Sequence, residues 1–139
     1  MRYFVDSNIF IRFFTKEKNT KVLKECSFLI DSIKKGKLKA TTSHLVIAEV
    51  VWTLSSFYKA PKEDVVKVTQ IIESLAGLRI EDKFVTGIAH RLFEEHSVKY
   101  IDALIASTPK IQSKAMSVVS YDKDFDKLGV IRKEPSQIV

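Results

Sequence analysis

The sequence predicts an α/β domain: a mostly parallel β-sheet of about four or five strands, flanked by α-helices on both faces. Three observations lead there. Short apolar runs of strand length alternate with longer runs of helical periodicity, an order that calls for crossover connections between parallel strands. The 139 residues are 45% hydrophobic and 29% charged, the balance of one globular unit and too few for two cores. Four Gly and three Pro leave no room for a low-complexity segment, so residues 1–139 read as a single domain.

Tyr3-Phe4-Val5 is a buried strand ended by the turn-forming set Asp6-Ser7-Asn8. Ile9 to Phe14 is a helical patch packed over that strand end. Val22, Leu23, Cys26, Leu29, Ile30 and Ile33 recur at helical spacing, with Asn19 or Thr20 as cap and Gly36 just past the end. Leu38 to Thr42 is a second strand. Ser43 then caps a run from His44 to Tyr58 that is apolar almost all round, so this helix is expected to be buried. Pro61 opens a helix through Leu75 that stops at Gly77, and Leu78-Arg79-Ile80 is a third strand. Residues 82 to 95 form an amphipathic helix. Residues 101 to 106 form another, which Pro109 ends or kinks. Met116-Ser117-Val118-Val119 is the clearest strand, followed by an acid-rich turn from Tyr121 to Asp126 and a last strand at Val130-Ile131-Arg132.

Twenty-three basic residues against 17 acidic ones give a net charge of +6, which favours polyanionic partners. The single Cys26 cannot close an intrachain disulfide and reads as a core residue. The N-terminal run meets Asp6 before any signal-peptide apolar region is complete, and no apolar run approaches the ~20 residues needed to span a bilayer. These features predict a cytoplasmic protein with no membrane association.

Four acids stand where acids are costly. Asp6 and Asp122 each follow a buried strand, at the sheet edge where ligands bind in such folds. Glu49 lies between Leu45-Val46-Ile47-Ala48 and Val50-Val51-Trp52. Asp102 lies inside Tyr100-Ile101-Asp102-Ala103-Leu104-Ile105-Ala106. A charge in such a setting needs a partner, yet these segments contain no Arg, only five Arg occur in the chain, and the nearest Lys residues, Lys59 and Lys99, fall outside the apolar runs. The economical solution is a shared divalent cation, Mg²⁺ or Mn²⁺, which takes oxygen ligands from a few carboxylates.

Val5-Asp6-Ser7-Asn8, the Glu49 helix, Tyr100 to Ala106 and Ser120-Tyr121-Asp122-Lys123-Asp124-Phe125 resemble, in order, the four acidic motifs of the PIN domain family, over essentially the whole chain. The length is similar to that of small single-domain members that serve as the toxin of toxin–antitoxin pairs, the VapC type. The resemblance implies a metal-dependent endoribonuclease with an RNA substrate, an antitoxin partner and a homodimeric state. By position, Asp6, Glu49, Asp102 and Asp122 match the catalytic, metal-binding acids, and Ser7, Asn8, Ser120 and Asp124 match residues that support them. Ser7 and Ser120 stand where Thr is commoner in the family, which preserves a hydroxyl. Pro109 interrupts a stretch that family members usually keep helical.

Carboxylates alone would repel RNA, so cations must attract it. Arg12, Lys16 and Lys18, close in sequence to Asp6, are the first candidates for a phosphate track, with Lys110 and Lys114 next. His44, His90 and His96 lack metal-ligand spacing and read as structural or surface residues. Surplus apolar residues from Ile9 to Phe14 and after Pro61 favour a symmetric interface. Among rival functions, an aspartyl-phosphate phosphotransferase needs a second Asp where this chain has Asn8. A structure-specific DNA nuclease and a non-catalytic RNA- or antitoxin-binding module are the alternatives that stay open.

Overall fold

The computed structural model describes residues 2–138; Met1 and Val139, the two ends of the expected domain, lie outside the described residues. Five strands form one parallel sheet in the order β3-β2-β1-β4-β5: β1 (Arg2–Val5), β2 (Ala40–Thr42), β3 (Leu78–Ile80), β4 (Met116–Val119) and β5 (Arg132–Lys133). The chain steps outward from β1 to β3, then returns across the sheet to β4. Right-handed crossovers therefore put α1 (Ser7–Phe14), α2 (Thr20–Lys34), α3 (His44–Ser56) and α4 (Lys62–Ser74) on one face. The other face receives α5 (Thr86–Glu95), α6 (Tyr100–Ala106) and α7 (Pro109–Gln112). The reversal creates a switch point between β1 and β4, which run in register from Arg2 opposite Met116 to Val5 opposite Val119.

Local signals account for most boundaries. The Asn19 carboxamide accepts from the backbone N–H of Lys21 (3.2 Å) and Val22 (3.3 Å) to start α2, and Gly36, at φ +72°, ends its last turn. Ser43 accepts from Val46 N at 3.2 Å to start α3. Pro109 separates α6 from α7 and opens the latter, as its missing N–H favours. The core gathers Phe4 and Val5 of β1, Ile9 and Phe10 of α1, Leu29 and Ile33 of α2, Val118 and Val119 of β4, and Phe125, all essentially inaccessible. Cys26 is buried with them.

Three expectations need correction. The helix expected from residue 82 begins at Thr86, because the Asp82 carboxylate is used elsewhere: it accepts from His44 N at 2.8 Å and meets His44 Nδ1 at 2.5 Å, tying the β3 end to the start of α3. The α3 segment is not buried all round. Val46, Ile47, Val50 and Leu54 face the core, but Trp52 is 67% exposed and Phe57, at the helix end, 74%. The last strand lies at Arg132–Lys133, past the apolar pair Val130-Ile131, because pairing with β4 selects the residues opposite Val118 and Val119.

Gly77 shows how closely the turn into β3 approaches α2. A Cβ there would stand 2.4 Å from the Leu38 carbonyl oxygen and 2.7 Å from that of Ile33, both backbone atoms that cannot swing away. Gly77→Ala is expected to cost about 3 kcal/mol, whereas Gly87→Ala, in α5 with nothing within 4 Å, should raise stability by about 0.5–1 kcal/mol. Urea denaturation of the two variants beside the parent checks both signs.

Candidate metal centre

Asp6 is the first residue beyond β1 and the N-cap of α1, so one side chain serves both elements. Its backbone N–H continues the β1–β4 ladder to the Val119 carbonyl at 3.1 Å. Its Oδ1 accepts from Ser7 N at 2.8 Å, while Oδ2 accepts from Ser120 Oγ at 2.7 Å and from Asn8 Nδ2 at 3.1 Å. Asn8 Nδ2 also reaches Ser120 Oγ at 2.8 Å, and Asn8 Oδ1 accepts from Tyr121 N at 3.1 Å. Ser120 Oγ accepts from Asp122 N at 3.0 Å. Ser7, Asn8 and Ser120 thus form a hydrogen-bonded bridge across the switch point. They leave Asp6 little rotamer freedom.

The other acids arrive from α3, α6 and the turn after β4. Glu49 accepts a short hydrogen bond from the Ser7 hydroxyl, which places it over the N-terminus of α1. Asp122 accepts from Asp124 N at 2.9 Å and caps the 3₁₀ turn Lys123–Leu128. Asp102, the third residue of α6, is buried, and its Oδ2 has no hydrogen-bond partner among the described residues. Oxygens of Asp102, Asp122 and Asp124 lie within 4.8 Å of one another, so Asp124, expected as a supporting residue, belongs to the converging triplet. Asp6 and Glu49 stand beside this triplet within electrostatic reach.

The electrostatics follow from burial. Asp6 is pushed up to about 6, chiefly by desolvation, against the pull of its hydrogen bonds from Ser120 and Ser7 N. Asp102 rises to about 8, again chiefly by desolvation; Lys99 opposes the shift, and the charges of Asp6, Asp122 and Glu49 add to it. An orphaned carboxylate oxygen among converging carboxylates fits a hard divalent cation better than any protein donor present, and an all-oxygen donor set suits Mg²⁺ or Mn²⁺.

The expectation that the four acids Asp6, Glu49, Asp102 and Asp122 lack a basic neighbour fails at Lys99. Lys99 Nζ lies 3.8 Å from Asp122 Oδ2, and Asp102, Glu49 and Asp6 act on it too. The signal was present in the sequence as a Lys three positions before Asp102, at a helix start, a spacing that brings both side chains to one end of the helix. The cationic candidates divide. Arg12 stacks on Tyr121, its guanidinium carbon 4.5 Å from the ring centroid, next to Asp122. Lys110 and Lys114 flank the entry to β4, whereas the acids stand beyond its exit; a four-residue strand, about 13 Å, separates them. They are removed from any track into this site.

The PIN domain family model matches residues 3–131. No curated protein sequence matches the chain. Among solved structures, the VapBC2 complex of Rickettsia felis, bound to a DNA fragment from its promoter, aligns with TM-score 0.67 and 20% identity over 96% of this chain and 98% of that one. The Mycobacterium tuberculosis toxin VapC20, which cleaves the sarcin–ricin loop, aligns with TM-score 0.66 and 17% identity over 93% and 96%. FitAcB of Neisseria gonorrhoeae aligns with TM-score 0.64 and 14% identity over 98% and 99%. These likenesses are likenesses of fold.

The raised carboxyls have a consequence for stability. Both titrate higher folded than the ordinary value of 3.8, so between about pH 4 and pH 8 the folded state holds more protons than the unfolded chain, and stability falls as pH rises through that window. In EDTA, the melting temperature should drop from pH 5 to pH 8, by an amount equivalent to several kcal/mol at most, on the order of 5. Asp102→Asn should flatten the slope and melt higher than the parent at pH 8. A pH series of thermal melts on both proteins measures it.

Proposed function

The chain belongs to the PIN domain family, and we propose that it is a divalent-metal-dependent endoribonuclease, acting as the toxin of a toxin–antitoxin pair in the cytoplasm. The observation that carries this reading is the buried Asp102, whose Oδ2 lacks a hydrogen-bond partner among the described residues and whose carboxylate converges with those of Asp122 and Asp124 at the switch point of the sheet, beside Asp6 and Glu49. Acids drawn from separate elements onto one point are a costly arrangement, and a cation that they share offsets the cost.

Asp6, Glu49, Asp102 and Asp122, joined by Asp124, would hold Mg²⁺ or Mn²⁺. Such an ion, when bound, supplies Lewis acidity at the phosphoryl oxygens and lowers the pKa of water. The chain's own residues do the rest. The Ser120, Asn8 and Ser7 N contacts hold the Asp6 carboxylate in one orientation, and the Ser7 hydroxyl holds Glu49. Carboxylate oxygens facing the attacking water orient it and take up its proton. Arg12, over the Tyr121 ring at the flank of the cluster, is placed to meet a phosphate of the RNA. Unpaired RNA is the preferred substrate, since a flexible backbone enters a recessed acid cluster more easily than a duplex does.

Neighbouring structures of the VapBC2 type support an antitoxin partner. A homodimer is part of the same reading. Trp52 and Phe57 around α3, with Val66 and Ile71 on α4, leave an apolar surface exposed, of the sort that a symmetric interface covers.

Purified protein should cut single-stranded RNA with Mg²⁺ or Mn²⁺, lose all cleavage in EDTA, and spare a DNA strand of the same sequence. Asp102→Asn should reduce the rate at least ~100-fold while staying folded by circular dichroism. Chelator-resistant cutting, or cutting of the DNA strand alone, overturns the reading. Light scattering at tens of micromolar should give twice the 15.9 kDa chain mass.

A further inference from the structure

We propose that Lys99 is a second phosphate-contacting cation of this site, beside Arg12, and that it is held next to the same carboxylates that serve the reaction; the inference rests on the nuclease reading above. The Lys99 backbone is fixed. As the N-cap of α6 its carbonyl accepts from Asp102 N at 3.1 Å and Ala103 N at 3.2 Å, so the side chain starts from one turn of the helix that delivers Asp102. Its ammonium reaches the acid cluster while 61% of the side chain stays open to solvent.

A second lysine, Lys127, also touches the cluster, and the comparison separates their roles. Lys127 Nζ is engaged twice, with Asp124 Oδ1 at 3.1 Å and the Ser97 carbonyl at 3.3 Å. Lys99 Nζ stands 3.8 Å from Asp122 Oδ2, beyond hydrogen-bond distance, and none of its three N–H donors is committed to a protein acceptor among the described residues. An exposed ion pair of that length contributes almost nothing to stability. What it does contribute is position: a cation with free donors at the rim of a cluster of five carboxylates. An anion brought to those carboxylates comes within reach of it, and a phosphodiester oxygen supplies the acceptor that the donors lack.

The same ammonium has a cost for the cluster. It neutralises part of the negative charge that attracts a divalent cation, so its removal should tighten metal binding while weakening the handling of RNA. These opposite signs distinguish a phosphate contact from a residue that merely supports the fold, whose loss would weaken both.

The experiment compares the full-length parent, Lys99→Gln and Lys99→Arg by two readouts. The first is the Mn²⁺ concentration at the midpoint of the metal-induced rise in melting temperature; Lys99→Gln should lower it about threefold to tenfold, and Lys99→Arg should match the parent. The second is kcat/KM on single-stranded RNA, which should fall at least ~30-fold in Lys99→Gln and recover most of that loss in Lys99→Arg. An unchanged kcat/KM in Lys99→Gln, or a weakened response to Mn²⁺, overturns the proposal. If the parent itself leaves RNA uncut, the nuclease reading fails separately. Fluorescence anisotropy with a labelled RNA strand then decides on Lys99: reduced affinity in Lys99→Gln together with tighter Mn²⁺ binding upholds the contact, and unchanged affinity refutes it.

Discussion

The arrangement depends on one buried carboxylate. Asp6 takes the last ladder bond of β1 through its N–H, caps α1 through Oδ1 and receives the Ser120 and Asn8 side chains on Oδ2. Those contacts join β1, α1 and β4 at the point where the sheet reverses direction, so the position of α1 and the exit path of β4 are set together. A desolvated charge is normally a liability. Here, hydrogen bonds from two side chains and one backbone N–H offset much of the penalty, and what is left shows as a carboxyl held near 6.

Asp102 is the counter-example within the same site. It is buried like Asp6 but has an oxygen with no donor among the described residues, and its carboxyl climbs further, to about 8. The two acids differ in what surrounds them. Asp6 is served by a strand end, a helix N-terminus and two polar side chains; Asp102 is wrapped by its own apolar helix, with Ile105 and Ala106 buried beside it. A fold selected for stability alone would place an apolar residue there. Keeping a carboxylate with an idle oxygen is the kind of local inconsistency that marks a working site in an otherwise consistent sequence.

Much of this was legible in the residue order. The acids were conspicuous because each interrupts an apolar run, and strand ends followed by Asp point to the ligand-binding edge of a parallel sheet whatever the rest of the chain does. Caps at Asn19 and Ser43 and the break at Pro109 are local chemistry, and they stand where such chemistry puts them. What escaped was set by tertiary choice. Periodicity could not tell that Asp82 would serve His44 rather than extend α5, since both uses satisfy the same carboxylate. Nor could an apolar circumference reveal that Trp52 faces outward, because the packing of α3 on α1 and α4 leaves that side uncovered. Lys99 lies outside the apolar run, yet as the N-cap of α6 it stands on the same helix end as Asp102.

The way the acids are distributed sets a limit on how the site can form. Asp6, Glu49, Asp102 and Asp122 belong to the β1 end, α3, α6 and the β4 end, and the strand order puts β4 beside β1 only after the chain has gone out to β3 and come back. Asp6 and Asp122, 116 positions apart, are held close through Ser120, whose hydroxyl donates to the first and accepts from the N–H of the second. Asp102, Asp122 and Asp124 come from one stretch of chain, whereas Asp6 joins them only through the pairing of β1 with β4, so the full crowding of carboxylates requires that long-range pairing. Such crowding opposes that pairing and is relieved by proton uptake or by a cation. The same pairing that builds the site therefore creates a charge density of the kind that a divalent ion would neutralise, and any metal affinity would be a property of the completed sheet rather than of any one of its motifs.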